Sequence, residues 1–85
     1  MTVEEISKLI NKKIAENPNK VVIKYFEMKI ERNLSNTELL AILNIIRNIL
    51  NSLGYKVFSD GNEYNYDDKK CIVKTNELMV GIKEK

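Results

Sequence analysis

The 85-residue chain reads as an α+β fold in two layers, a mainly antiparallel sheet of four to five strands with two helices on one face. The order is α-β-α-β-β-β-β. Three observations predict it. Two stretches place apolar residues at helical spacing behind capping-box signals. After Gly54 the pattern switches to a period of two, punctuated by turn residues. Between the helices lies one long strand-like run, so that strand, long helix and strand form a crossover; its two strands are then parallel, as neighbours or next-neighbours.

The first helix starts at Thr2 and Glu5, which have capping-box spacing. Val3, Ile6, Leu9, Ile10 and Ile14 follow on one narrow face, and Asn17-Pro18-Asn19 ends it. Lys20–Glu31 then alternates as a strand. Val22, Phe26, Met28 and Ile30 fall on one face, and Val21, Ile23 and Tyr25 on the other. Its first half is apolar on both faces, as a central strand covered twice would be.

The long helix, Ser35–Leu53, organises the rest. Ser35 and Glu38 cap its start and Gly54 stops it in the left-handed conformation. Leu39, Leu43, Ile46, Leu50 and Leu53 form the central stripe, widened by Leu40, Ile42, Ile45 and Ile49. That apolar arc covers roughly 220°, against the ~100° of an ordinary surface helix. Asn44, Asn48 and Asn51 occupy what remains, and no acidic residue follows Glu38. Coding bias explains part of this, because the chain holds eleven Asn, eleven Ile and twelve Lys. The width of the arc predicts a twofold dimer, with Leu40, Asn44, Ile45, Asn48 and Ile49 at the interface.

Two hairpins are expected next. Tyr55–Ser59 and Asn62–Tyr66 flank Asp60-Gly61, the favoured hairpin turn. That register sets Tyr55, Val57, Tyr64 and Tyr66 on one face and Phe58 on the other. Cys71–Thr75 and Leu78–Ile82 flank Asn76-Glu77. Here Cys71, Ile82, Val73, Val80, Thr75 and Leu78 share the inner face.

The totals narrow the function. One domain is expected at this length. A net charge of +2 argues for neither nucleic acid nor an anionic membrane. The single cysteine cannot form an internal disulfide, and no signal-like or membrane-spanning segment is visible, so a cytoplasmic protein is expected. Histidine is absent, which removes the commonest general base and metal ligand. Cys71 has no evident activator, no serine has a nucleophile-elbow context, and no glycine-rich phosphate loop occurs. No metal or cofactor is expected.

The one concentration of functional groups is Asp60–Asp68, which carries a charge of −4 and leaves +6 on the rest of the chain. Together with the tyrosines it defines a candidate binding surface of Tyr55, Phe58, Asp60, Glu63, Tyr64, Tyr66, Asp67 and Asp68. The bland alternative puts those aromatics in the core. The sequence therefore predicts a small non-enzymatic binding protein. Its composition is in the style of short phage or mobile-element proteins, whose natural role would be to inhibit a host protein or sequester a small ligand. The alternative is a nucleic-acid-binding regulator using Lys8, Lys12, Lys13, Lys69, Lys70, Lys74 and Lys83.

Overall fold

The computed structural model describes residues 2–28 and 35–84. Helix α1 spans Val3–Glu16 and α2 spans Asn36–Ser52. The strands are β1 (Lys20–Lys24), β2 (Tyr55–Ser59), β3 (Glu63–Tyr66), β4 (Lys69–Ile72) and β5 (Glu77–Lys83). The α+β architecture expected from the sequence is present, with all strand pairs antiparallel and both helices on one face of a sheet. The strands divide, however, into a three-stranded sheet in the order β1-β5-β2 and a two-stranded hairpin of β3 and β4.

The helices begin and end where their signals lie. The Thr2 hydroxyl accepts the Glu5 N–H at 3.2 Å, and the Glu5 carboxylate accepts the Thr2 N–H in return, a complete capping box. At Ser35 the hydroxyl accepts the Glu38 N–H at 3.2 Å but donates its own proton to the Glu38 carboxylate. Gly54 follows α2 with φ +88°, the conformation its stop signal requires. Lys83 reinforces that end by donating to the Leu53 carbonyl at 2.6 Å. A cation there favours the negative end of the helix dipole.

β1 is shorter than the sequence suggests. The strand stops at Lys24, and Tyr25–Met28 turn into a single 3-10 helix. The cause is Glu27, whose position in a continuous strand would face solvent. Instead its carboxylate accepts the Lys24 N–H at 3.0 Å and pairs with Lys13 of α1. That bond turns the chain back on itself after Lys24, and the Tyr25 N–H makes the last backbone bond across, to the Asn76 carbonyl at 3.3 Å. Residues 29–31 of the expected strand lie outside the described residues.

β5, not β1, is the central strand. It pairs with β1 through Val21↔Gly81 and with β2 through Val57↔Gly81. β1 and β2 both run antiparallel to it, so they are parallel next-neighbours with β5 inserted between them. A bulge between Ile23 and Lys24 leaves Leu78 without a partner in β1.

Each face of this sheet has its own cover. Val21, Ile23, Tyr55 and Met79 point toward the helices and close a core with Ile6, Ile10, Ile46 and Leu50. Val22, Phe58, Val80 and Ile82 point the other way, onto Tyr64, Tyr66, Cys71 and Val73 of the hairpin region. Gly81 lets α2 approach closely. A Cβ there would lie 3.3 Å from Leu50 Cδ1 and 3.4 Å from Tyr55 Cβ.

Both expected hairpins are therefore corrected in their pairing. A turn does form at Asp60-Gly61, with the Asn62 N–H on the Ser59 carbonyl. Yet β2 joins β5, and β3 leaves the sheet to pair with β4. Tyr55 and Val57 thus face the helices, while Tyr64 and Tyr66 face the hairpin side with Phe58. A turn also forms before Glu77, whose N–H reaches the Lys74 carbonyl. There too the strands part, β4 to the hairpin and β5 to the sheet. The inner-face grouping of Val73, Val80, Cys71 and Ile82 survives as packing between layers instead of as a ladder.

Candidate functional site

The hairpin reverses direction at Asp67-Asp68. Both residues have positive φ, 53° and 60°. Two left-handed residues between paired Tyr66 and Lys69 make a type I′ turn, which matches the twist of the flanking strands. Asn-Gly is the preferred pair at such a turn. Aspartate tolerates the conformation better than most residues, but at some cost in strain. Both side chains are exposed.

This turn closes one wall of a cleft of about 460 Å³, lined by Asn19, Asn65, Tyr66, Asp67, Asp68, Ile82 and Lys83. Its size falls within the range of small-ligand sites. The floor is built by the β1–β5 pairing, which brings the Lys83 N–H onto the Asn19 carbonyl at 3.0 Å. The Tyr66 hydroxyl accepts from Asn17 Nδ2 at 3.4 Å, tying the hairpin to the end of α1. The Lys83 ammonium is engaged beneath the cleft, at the Leu53 carbonyl and 4.8 Å from the centre of the Tyr55 ring. The Asp67 and Asp68 carboxylates therefore set the sign of the charge presented at its rim.

On the far side of Tyr66 lies Lys20. Its ammonium sits 4.9 Å from the Tyr66 ring centre and 5.4 Å from that of Tyr64, the geometry of cation–π attraction. Partial burial pulls the Lys20 pKa down. The Tyr64 hydroxyl, with smaller contributions from Cys71 and Glu77, outweighs that and holds it above the ordinary lysine value. Lys20 is thus a fixed positive charge facing the hairpin.

The structure divides the aromatic and acidic residues singled out in the sequence. Tyr55 and Tyr64 are buried, at 4% and 6% exposure, so they are core residues. The Tyr55 hydroxyl donates to the Pro18 carbonyl at 2.5 Å, and Tyr64 packs on Phe58 with ring centres 5.5 Å apart. Tyr66, Asp67 and Asp68 come together in the cleft. Asp60 and Glu63 are exposed, with Glu63 facing Lys70 across the hairpin at 3.7 Å. Among the described residues no cluster of three or more His, Cys, Asp or Glu side chains is placed to hold a metal ion.

Asn19, Asn65, Ile82 and Lys83 complete the cleft and escape sequence reasoning. Asn19, Ile82 and Lys83 arrive through β1–β5 pairing across some sixty residues, and Asn65 through the β3–β4 hairpin folding over that sheet; no local pattern announces either. Lys20 had a faint signal, since it shares strand parity with Val22 and so faces the same side. Of the helix positions expected at an interface, Leu40 is 58% exposed and Asn44 and Asn48 are exposed, whereas Ile45 and Ile49 are half-buried against the helical core. Several lysines considered for nucleic acid are already engaged: Lys8 with Glu4, Lys13 with Glu27, Lys70 with Glu63 and Lys83 with Leu53. No helix among the described residues is long and apolar enough to cross a membrane.

No family model matches the chain, and neither a curated protein nor a solved structure matches it.

Proposed function

We propose that this is a small non-enzymatic binding protein that acts by occupying a partner at the cleft beneath the Asp67-Asp68 turn. The observation that supports this is the turn itself. Two carboxylates stand exposed on left-handed residues where Asn-Gly would serve the fold better. A position that departs from its best local residue is a candidate for function. The cleft combines one aromatic wall, two amides and this acidic rim. It suits a basic or amide-rich group, from a host protein or a small ligand. Inhibition of a host factor, in the manner of a phage or mobile-element protein, is the role this reading favours.

The test replaces Asp67→Asn and Asp68→Gly together. This keeps or improves the turn while removing both charges. Capture of a partner from host lysate by the parent chain, lost in the double variant at unchanged stability, supports the reading. Equal capture by both would refute it. Retention on heparin that falls steeply with salt would favour the nucleic-acid-binding alternative instead.

We also propose that the outer flank of α2 carries self-association, as its apolar arc suggests. Leu40→Glu alters an exposed residue and should leave folding within about 0.5 kcal/mol. Sedimentation at micromolar concentration should show a dimer for the parent chain and a monomer for this variant. A parent chain that sediments as a monomer removes the proposal.

A further inference from the structure

The three-stranded sheet has two outer edges, and two bonds fix which backbone groups each one presents. The Glu84 N–H on the Gly54 carbonyl and the Lys83 N–H on the Asn19 carbonyl set the alternation along β5. Val21 and Ile23 therefore bond to β5, while Lys20, Val22 and Lys24 turn their N–H and C=O groups outward from β1. The Lys24 N–H is closed by Glu27. Those of Lys20 and Val22 meet no partner among the described residues outside the sheet. On the β2 edge the Ser59 carbonyl is already taken by Asn62. The β1 edge also opens onto a cleft of about 310 Å³, lined by Lys13, Glu16, Asn17, Lys20 and Val22.

We propose that the outer edge of β1 is a strand-addition site for an extended, acidic segment of a partner protein, with acidic side chains opposite Lys20 and Lys24 and an apolar one opposite Val22. An incoming strand would take up the outward groups of Lys20 and Val22, and its side chains on the hairpin-facing side would lie against those three residues. Charge selects the occupant. A second copy of this chain pairing about Val22 would set Lys20 against Lys24, like charge against like, whereas carboxylates complement both. Lys20 is held in place over Tyr64 and Tyr66 and is fully ionised at neutral pH. The site is separate from the Asp67-Asp68 cleft and does not depend on it.

The experiment titrates the isotopically labelled full chain with the palindromic peptide acetyl-Glu-Thr-Val-Thr-Glu-amide, and separately with its Lys-Thr-Val-Thr-Lys counterpart, at millimolar concentration. Amide hydrogen exchange is the readout. The acidic peptide should slow the Lys20 and Val22 amides several-fold, leave Val21 and Ile23 unchanged, and outcompete the basic one. Lys20→Glu should abolish the preference, since Lys24 then attracts what the new carboxylate repels, with thermal unfolding checking that the variant is folded. Should it not fold, Lys20→Gln should weaken the preference, leaving only the part that Lys24 supplies. Three results overturn the proposal: Lys20 and Val22 amides already as slow as Val21 and Ile23 in the free protein, no slowing by the acidic peptide, or equal slowing by both. Lysines on a sheet edge otherwise serve to repel strand pairing altogether, and the second result is what that purely protective role gives.

Discussion

One sheet in this protein has two covers, and they differ in kind. On the helical side Ile6, Ile10, Val21, Ile23, Ile46, Leu50 and Met79 are completely shielded, and the partly buried arc of α2 packs around them. On the hairpin side the buried cluster among the described residues is Tyr64, Val73 and Val80, and Val22, Phe58, Tyr66, Cys71 and Ile82 remain half-open. Burial of apolar area is the main source of stability, so the helical layer supplies most of it. The hairpin layer contributes less and carries the candidate cleft. Sites that must meet a partner are drawn from regions of lower local stability, and this chain separates the two roles across a single strand, β5.

That separation is broken most severely from the helical side. Ile46→Ala opens a cavity under α2 and should cost about 2–5 kcal/mol, enough to unfold a domain of this size under mild denaturant. Val73→Ala in the hairpin layer removes two methyl-sized groups at about 0.8 kcal/mol each, with a small cavity added. It should cost about 2 kcal/mol and loosen the hairpin selectively. Urea titration of both variants ranks them, and a larger loss at Val73 than at Ile46 would invert the comparison. Gly81→Ala drives a methyl against Leu50 and Tyr55, both core side chains. Overpacking of this kind costs about 1–3 kcal/mol, and calorimetry should show the lowered melting temperature. The smallest stability effect belongs to Asp67→Asn with Asp68→Gly, which should be neutral or slightly stabilising because Asn-Gly suits a type I′ turn. A loss of more than about 1 kcal/mol there would mean that the aspartates stabilise the hairpin.

The pattern of what the sequence discloses follows the range of each interaction. Helix limits are local, and Thr2, Glu5, Ser35, Gly54 and the Asn17-Pro18-Asn19 break mark them within a residue or two. Turns are local as well: that at Asp60-Gly61 forms as expected, and that expected at Asn76-Glu77 forms one residue earlier, centred on Thr75-Asn76. Strand partnership is not local. Asp60-Gly61 is the preferred hairpin turn, yet the preference of a two-residue turn is outweighed when β5 offers β2 a full ladder and a buried apolar face. The run Leu78-Met79-Val80-Gly81-Ile82 did contain the needed hint: it is apolar at consecutive positions, as a strand covered on both faces must be. β1 shares that property because both layers reach it, although it lies at an edge. Face burial and ladder position are independent, so the sequence cannot separate a central strand from a doubly covered edge strand.

The candidate site was half legible for the same reason. Tyr66, Asp67 and Asp68 stand out by composition, and the structure gathers them. Tyr55 and Tyr64 stand out equally and are buried, since a tyrosine on a strand gives the same sequence signal whether its ring faces a partner or the core. Only the layer to which each strand belongs decides between them, and that is set by long-range pairing.

Native-state hydrogen exchange tests the division between the layers most directly. The Gly61 and Val73 amides are bonded across the hairpin, to the carbonyls of Val73 and Asn62. The Met79 and Gly81 amides lie in the central strand under the helices, paired with β1. If the hairpin layer is the weaker cover, Gly61 and Val73 should exchange through a partial opening whose free energy is well below that of global unfolding. Met79 and Gly81 should exchange only with the whole molecule. A single common opening free energy for all four amides would show that the two layers unfold as one unit and would contradict the account.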